Sequence, residues 1–278
     1  IYFKRLLNYR EEAGIKPIIG IETYVAMRKH TDKDPTKDKG RNHLILLAMN
    51  NVGYQNLMRL SSIANLDGFY YYPRVDHELL EKYNEGLIVL SGCMSGEVGD
   101  ALKNGQYKQA VATAKWYKKI FGDRYYLEVQ DHGHPKNSKH SIEQENINKQ
   151  ILQLSKELDI PAVVTGDAHY LSPEDEEAHE ILLCVGTGSF LADENRMSLK
   201  DFPLYVEDPE AIIKRWGAEN PELITNTSKI SGRCSVEIEL GKYLIPKFPV
   251  PKSNTEKTFL HQLTYAGLMR RYAPTKNA

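Results

Sequence analysis

The sequence predicts an α/β fold built on a mostly parallel sheet, and three observations carry that expectation. Short, wholly apolar runs recur along the chain, amphipathic helical patterns separate them, and no Gly-rich phosphate fingerprint opens any of the helices. Strands covered by helices on both faces read as continuous Val, Ile and Leu runs rather than as alternating ones. Without a dinucleotide fingerprint, a barrel of parallel strands is favoured over a doubly wound sheet.

The strand candidates are 17–26, 43–49, 86–91, 125–130 and 161–166, with helix candidates at 51–65, 76–83, 94–104, 106–121 and 141–159 between them. In the last helix Ile147, Ile151, Leu154 and Leu158 share a face, Ser141 is placed to cap the start, and Pro161 follows the end. Residues 29–41 are charged with mixed sign and read as a solvated, mobile connection between the first two strands. The aromatic run from Phe69 to Tyr72 offers rings for stacking nucleobases, but packing of a loop against the domain is its more ordinary use. Pro173 opens a helix with acids in its first turn, as the helix dipole favours, and helices at 208–216 and 221–233 follow. From Val236 the texture changes: three prolines fall within 243–251, which excludes regular structure there. The expected organisation is one domain over 1–235, then a linker and a first helix of another domain over 236–278.

A length of 278 residues is enough to bury a full core, and 41% hydrophobic with 26% charged residues is ordinary for a globular protein. No apolar run approaches the ~20 residues of a membrane-spanning helix, and the first residues do not form a secretory signal, so a fragment of a longer cytoplasmic protein is expected. Three widely spaced cysteines, an odd number, argue against a disulfide framework. A net charge of −1 is far from the basic surface of a domain that grips duplex DNA by itself. Nucleic acid would then be met at a metal site or held by another part of the protein.

The candidate chemistry starts at Gly166-Asp167-Ala168-His169, directly after the apolar run 161–165. Side chains alternate along a strand, so Asp167 and His169 emerge on the same side of its C-terminal end, where a carboxylate and an imidazole suit a divalent metal. An ordinary capping Asp and a backbone-bonded His are the competing reading. Other ligand-type residues strengthen the metal reading: Glu22 within an apolar run, His43 at the start of another, and Cys93 closing a third. An unpaired carboxylate inside a strand costs several kcal/mol, so Glu22 faces metal, solvent or a base. Taken alone, His43 fits a structural histidine as well as a ligand. Cys93, among Gly and Ser at a strand end, offers a thiolate position, although a free Cys is more often a small buried hydrophobe. Cys184 reads as core, and nothing near Cys234 makes it a ligand. Glu128, Asp131, His132 and His134 form a further polar cluster at a strand end, with Glu128 and His132 as candidates for substrate or supporting contacts.

Five stretches then resemble one family. GIKPIIGIE at 14–22, HLILLAMNNVGYQNL at 43–57, GLIVLSGC at 86–93, DEEAHEILLCVGTG at 175–188 and YLIPKFP at 243–249 look like the PHP domain at the N-terminus of bacterial replicative DNA polymerase III alpha subunits. The resemblance implies a distorted seven-stranded β/α barrel of TIM-like form, with divalent metals clustered at the C-terminal ends of its strands. It implies Glu22, His43, Cys93, Asp167 and His169 as the metal ligands. The family's opening His-x-His and its Asp-His pair have no counterpart here, so the barrel is expected to lack its first strands and the fragment alone to be inactive. The implied activity of the intact protein is 3′–5′ exonuclease proofreading by metal-bound hydroxide, using Zn²⁺ or Mn²⁺, beside a Mg²⁺-dependent polymerase core outside this chain. The implied partners are DNA, held mainly by the rest of the protein, and other subunits of the replicative holoenzyme. The alternatives are a vestigial PHP scaffold for the polymerase core and a phosphoesterase of the histidinol phosphatase kind.

Overall fold

A computed structural model describes residues 12–132, 139–200, 202–239, 241 and 245–272. Six strands form one sheet: β1 (Gly20–Ala26), β2 (Arg41–Ala48), β3 (Arg74–Val75), β4 (Leu87–Leu90), β5 (Tyr125–Gln130) and β6 (Ala162–Thr165), in the order β3-β1-β2-β4-β5-β6. The helices are α1 (Asn51–Leu66), α2 (His77–Lys82), α3 (Glu97–Lys103), α4 (Tyr107–Phe121), α5 (Lys139–Leu158), α6 (Glu176–Thr187), α7 (Pro209–Trp216), α8 (Pro221–Arg233) and α9 (Glu256–Tyr272). This is a mixed α/β fold in keeping with a TIM-like PHP barrel that lacks some strands.

β4 and β5 are buried at every position: β4 is wholly apolar, while β5 also buries Glu128 and Gln130. The core gathers on both sides of them. Leu46, Leu87, Val89 and Leu127 from the sheet meet Leu60 of α1, Ala110, Ala114 and Phe121 of α4, and Ile147, Ile151 and Leu154 of α5. Each such fully buried aliphatic side chain contributes about 1.5–3 kcal/mol. Side-chain caps start α1 and α2: Asn50 accepts from the Gly53 amide and Asp76 from the Leu79 amide.

The structure corrects four expectations. The strands are not all parallel, because β2 runs antiparallel to both β1 and β4, while the β1–β3, β4–β5 and β5–β6 pairs are parallel. A parallel neighbour needs a covering crossover, and residues 27–40 contain no helix to provide one, so the chain turns back beside β1. Strand β3, only two residues long, carries too little pattern to be read in advance. Ser141 lies inside α5 instead of capping it.

Residues 29–41, fourth, are largely exposed, as a solvated connection is, but they are anchored to the domain. The buried Arg74 guanidinium donates to the backbone oxygens of His30, Asp32 and Asp38. Asp38, itself 1% exposed, takes a two-pronged contact from Arg28, and Asp76 accepts from both the amide and the ring of His30. Tyr70 lies over Arg74, and Tyr72 lies under Arg41 beside Tyr24, so these rings serve packing.

The chain divides into two compact units, 1–237 and 238–278. In the second, Phe248 packs near Phe259 of α9, whose remaining apolar side chains are exposed. Among the described residues no helix is long and apolar enough to cross a membrane.

Candidate metal centre

Strand pairing brings the first three ligand-type residues together. Tyr24 stands directly opposite His43 in the antiparallel β1–β2 pair, so the two share a face, and their rings meet edge to face at 5.2 Å. Glu22, two residues before Tyr24, lies on that face as the diagonal neighbour of His43. Its Oε1 is 2.7 Å from His43 Nδ1. Because β2 is reversed, His43 at its start sits just beyond the C-terminal end of β4, where its amide donates to the Ser95 carbonyl. The turn after β4 delivers Cys93, with Sγ 3.5 Å from His43 Nδ1 and accepting from the Ser95 amide.

That turn depends on glycine twice. Gly92 has φ +79°, and a Cβ there would lie 2.9 Å from the His43 carbonyl oxygen; a Cβ at Gly96 would lie 2.3 Å from that of Ser91. With both in place, one donor atom each from Glu22, His43 and Cys93 falls within 4.8 Å of the others. The cluster strongly favours positive charge. Hydrogen bonding to Cys93 first, then to Glu22, pushes the His43 imidazole up to about 10 against the effect of burial. Carboxylate, imidazole and thiolate together make a donor set for a borderline divalent metal.

Asp167 and His169 leave the end of β6 as a second group. Asp167 Oδ1 is 4.0 Å from His169 Nδ1, and Asp167 Oδ2 is 3.8 Å from His132 Nε2, an ion-pair distance too long for a hydrogen bond. Burial alone would raise the Asp167 carboxyl. The neighbouring imidazoles of His132, His169 and His43 outweigh it and hold the group below the usual carboxylate range. Both ring nitrogens of His132 are buried without a hydrogen-bond partner, an arrangement that suits a bound ligand better than a finished structural contact. His169 also packs near His179 of α6, at 5.4 Å between ring centroids.

Glu128 of β5 lies between the two groups, accepting from the Gly92 amide at 3.0 Å and the Thr165 hydroxyl at 2.6 Å. Burial raises its carboxyl to about 7. The two hydrogen bonds oppose that rise, while nearby Asp167 and Glu22 add to it. A carboxyl that keeps its proton when folded stabilises the protein fully below the unfolded value of 4.5, and that contribution is lost as pH rises to about 7. In metal-stripped protein, Glu128→Gln is therefore expected to raise stability by about 2–3 kcal/mol at pH 8 and to change little near pH 4.5. Urea unfolding at the two pH values measures it, and an equal offset at both would show that folding does not raise the Glu128 carboxyl.

Sequence reasoning did not anticipate two further arrangements near these strand ends. Arg215 of α7 bridges Asp131 and Glu207, and Glu97 at the start of α3 accepts from Tyr117 at 2.5 Å beside His77 at 3.0 Å. Asp131, Tyr117 and His77 lie in other elements than the residue each one meets, so no local pattern marks these contacts. His134 lies outside the described residues.

Residues 2–132 match the PHP domain family, so the chain carries a PHP domain. It is homologous to the N-terminal region of DNA polymerase III alpha subunits. It is 40% identical over 277 residues to the DNA polymerase III subunit alpha of Deinococcus radiodurans, covering 95% of this chain and 20% of that protein. The subunit of Borreliella burgdorferi is 38% identical over 97% of this chain and 23% of its own length. That of Thermus aquaticus is 39% identical over 93% and 21%. The chain thus spans about a fifth of the length of these relatives.

Proposed function

We propose that this chain is the PHP module of a bacterial replicative polymerase, and that Glu22, His43, Cys93, Asp167 and His169 hold divalent metal. The site's reaction is hydrolysis of the terminal phosphodiester at a DNA 3′ end. The observation that carries this reading is the convergence of Glu22, His43 and Cys93 within 4.8 Å at the end of the sheet. The Asp167 carboxylate, held ionised by the imidazoles beside it, supports the reading. Mixed thiolate, imidazole and carboxylate donors favour Zn²⁺ or Mn²⁺ over Mg²⁺, while Mg²⁺ serves the polymerase core outside this chain. The working setting is the bacterial cytoplasm, with DNA and other replication subunits as partners.

A divalent ion bound by these residues supplies Lewis-acid polarisation of the phosphoryl oxygens and an acidified water. The protein's own groups do the rest. Asp167 Oδ2 faces His132 Nε2 at 3.8 Å, and this charge contact orients the His132 ring at the end of β5. Glu128, buried and bonded to Gly92 and Thr165, fixes the turn that carries Cys93 relative to β6.

The test is metal analysis of the full-length protein purified without chelators, with an assay for mononucleotide release from 3′-ended DNA. Bound Zn²⁺ or Mn²⁺ together with release is the expected result. Protein free of transition metal and inert on DNA ends would replace the hydrolytic reading with that of a scaffold for the polymerase core.

A further inference from the structure

Beside the metal centre lies a cavity of about 400 Å³ between α5, the end of α7 and the segment around Phe202. It shares Asp131, His132 and Pro203 with the smaller cleft lined by Asp167. We propose that this cavity is a nucleobase subsite, which receives the base of the terminal nucleotide while its phosphodiester lies at the metal centre. The proposal rests on the hydrolytic reading above and deepens it.

Three features define the ligand. The first is unspent hydrogen bonding. Gln144 is 5% exposed and donates its Nε2 to Asn148, yet its Oε1 has no partner. Trp216 Nε1 is likewise buried and unpartnered, as are both ring nitrogens of His132. A buried polar atom left unpaired is costly, and these three side chains, from α5, the end of α7 and the end of β5, together suit a ligand with both donors and acceptors. The second feature is shape. Phe202 and Trp216 contribute aromatic walls, and the volume falls within the usual range for small-ligand sites. Rings of this kind bind the flat face of any base.

The third is charge. Among the described residues the two cations that line the cavity have carboxylate partners: Arg215 is held by Asp131 and Glu207, and Lys149 lies 3.6 Å from Glu145. Neither is free to take a phosphate. A neutral, planar heterocycle with hydrogen-bonding edges meets all three conditions, and a base attached to a phosphodiester in the adjoining cleft has the required continuity.

Two measurements on the full-length protein test this. In calorimetric titrations, thymidine and 2′-deoxyadenosine are expected to bind, while 2-deoxyribose and orthophosphate do not compete with them. Gln144→Leu and Trp216→Phe should each weaken nucleoside binding by about fivefold to tenfold, the loss of one hydrogen bond to a buried neutral group. In the hydrolysis assay, KM for a DNA end that terminates in an abasic residue should exceed that for a normal end, and Gln144→Leu should narrow the difference. Bound metal and hydrolysis of bis(4-nitrophenyl) phosphate, which carries no base, should stay unchanged in both variants. Nucleoside binding needs no hydrolysis, so it also holds or fails apart from the metal reading. Absence of nucleoside binding, or binding unchanged in both variants, overturns the subsite.

Discussion

Asp167→Asn in the full-length protein is expected to lower DNA-end hydrolysis by at least about a hundredfold and to reduce bound metal. Loss of a residue that merely supports a metal ligand typically costs about 10–100-fold, so loss of a ligand's charge sets a higher floor. Asparagine keeps the shape and removes the negative charge, which is present at neutral pH because His132, His169 and His43 outweigh the effect of burial. Cys184→Ala is the matched control. Cys184 is buried in α6 away from the cluster, and its truncation should cost about 1–2 kcal/mol of packing with metal content unchanged. Full metal content and rate in Asp167→Asn would move the ligand role away from the end of β6.

The largest effect on stability is expected at Arg74. Its side chain is 1% exposed and donates to four backbone oxygens, those of Gly68, His30, Asp32 and Asp38, at 2.8–3.2 Å. Arg74→Met keeps much of the volume but leaves four carbonyls and Asp38 without the guanidinium. A cost of about 3–5 kcal/mol is expected, read as a lower urea midpoint with faster amide exchange across residues 30–38. An unchanged midpoint would show that solvent replaces Arg74 at no cost and that the Arg28–Asp38 and His30–Asp76 contacts suffice to hold the loop.

The parts of the fold legible in the sequence are those set by local pattern. The runs that became β4 and β6 are mainly apolar because helices cover them. Period-two alternation does not reach Asp167 and His169, because β6 ends at Thr165 and His169 Nδ1 bonds to the Asp167 carbonyl oxygen at 2.8 Å. The reversal of β2 was not legible, since an apolar run has no direction and the sign of the pairing lies in the helix-free stretch 27–40. It explains why His43 opens its strand while Asp167 and Cys93 follow theirs. Arg74 was not legible either, because its partners are backbone oxygens, which any sequence supplies. Glu128 was visible as a polar residue in a strand. Its burial, and so its raised carboxyl, follows only from the elements packed around it.

The reversal of β2 also divides the labour between the two ends of the sheet. β1 ends and β2 begins on the side that holds His43, so the connection between them leaves from the mouth of the site and returns to it. Residues added to or removed from 27–40 would therefore reshape the rim of the site, while the pairing of Glu22 with its neighbours stays in register. Changes of length between β2 and α1, at the opposite end, would instead pull on the Asn50 cap and the strand that carries His43. Homologous chains can thus diverge in what they admit by altering one loop, provided that an equivalent of Arg74 still ties it down.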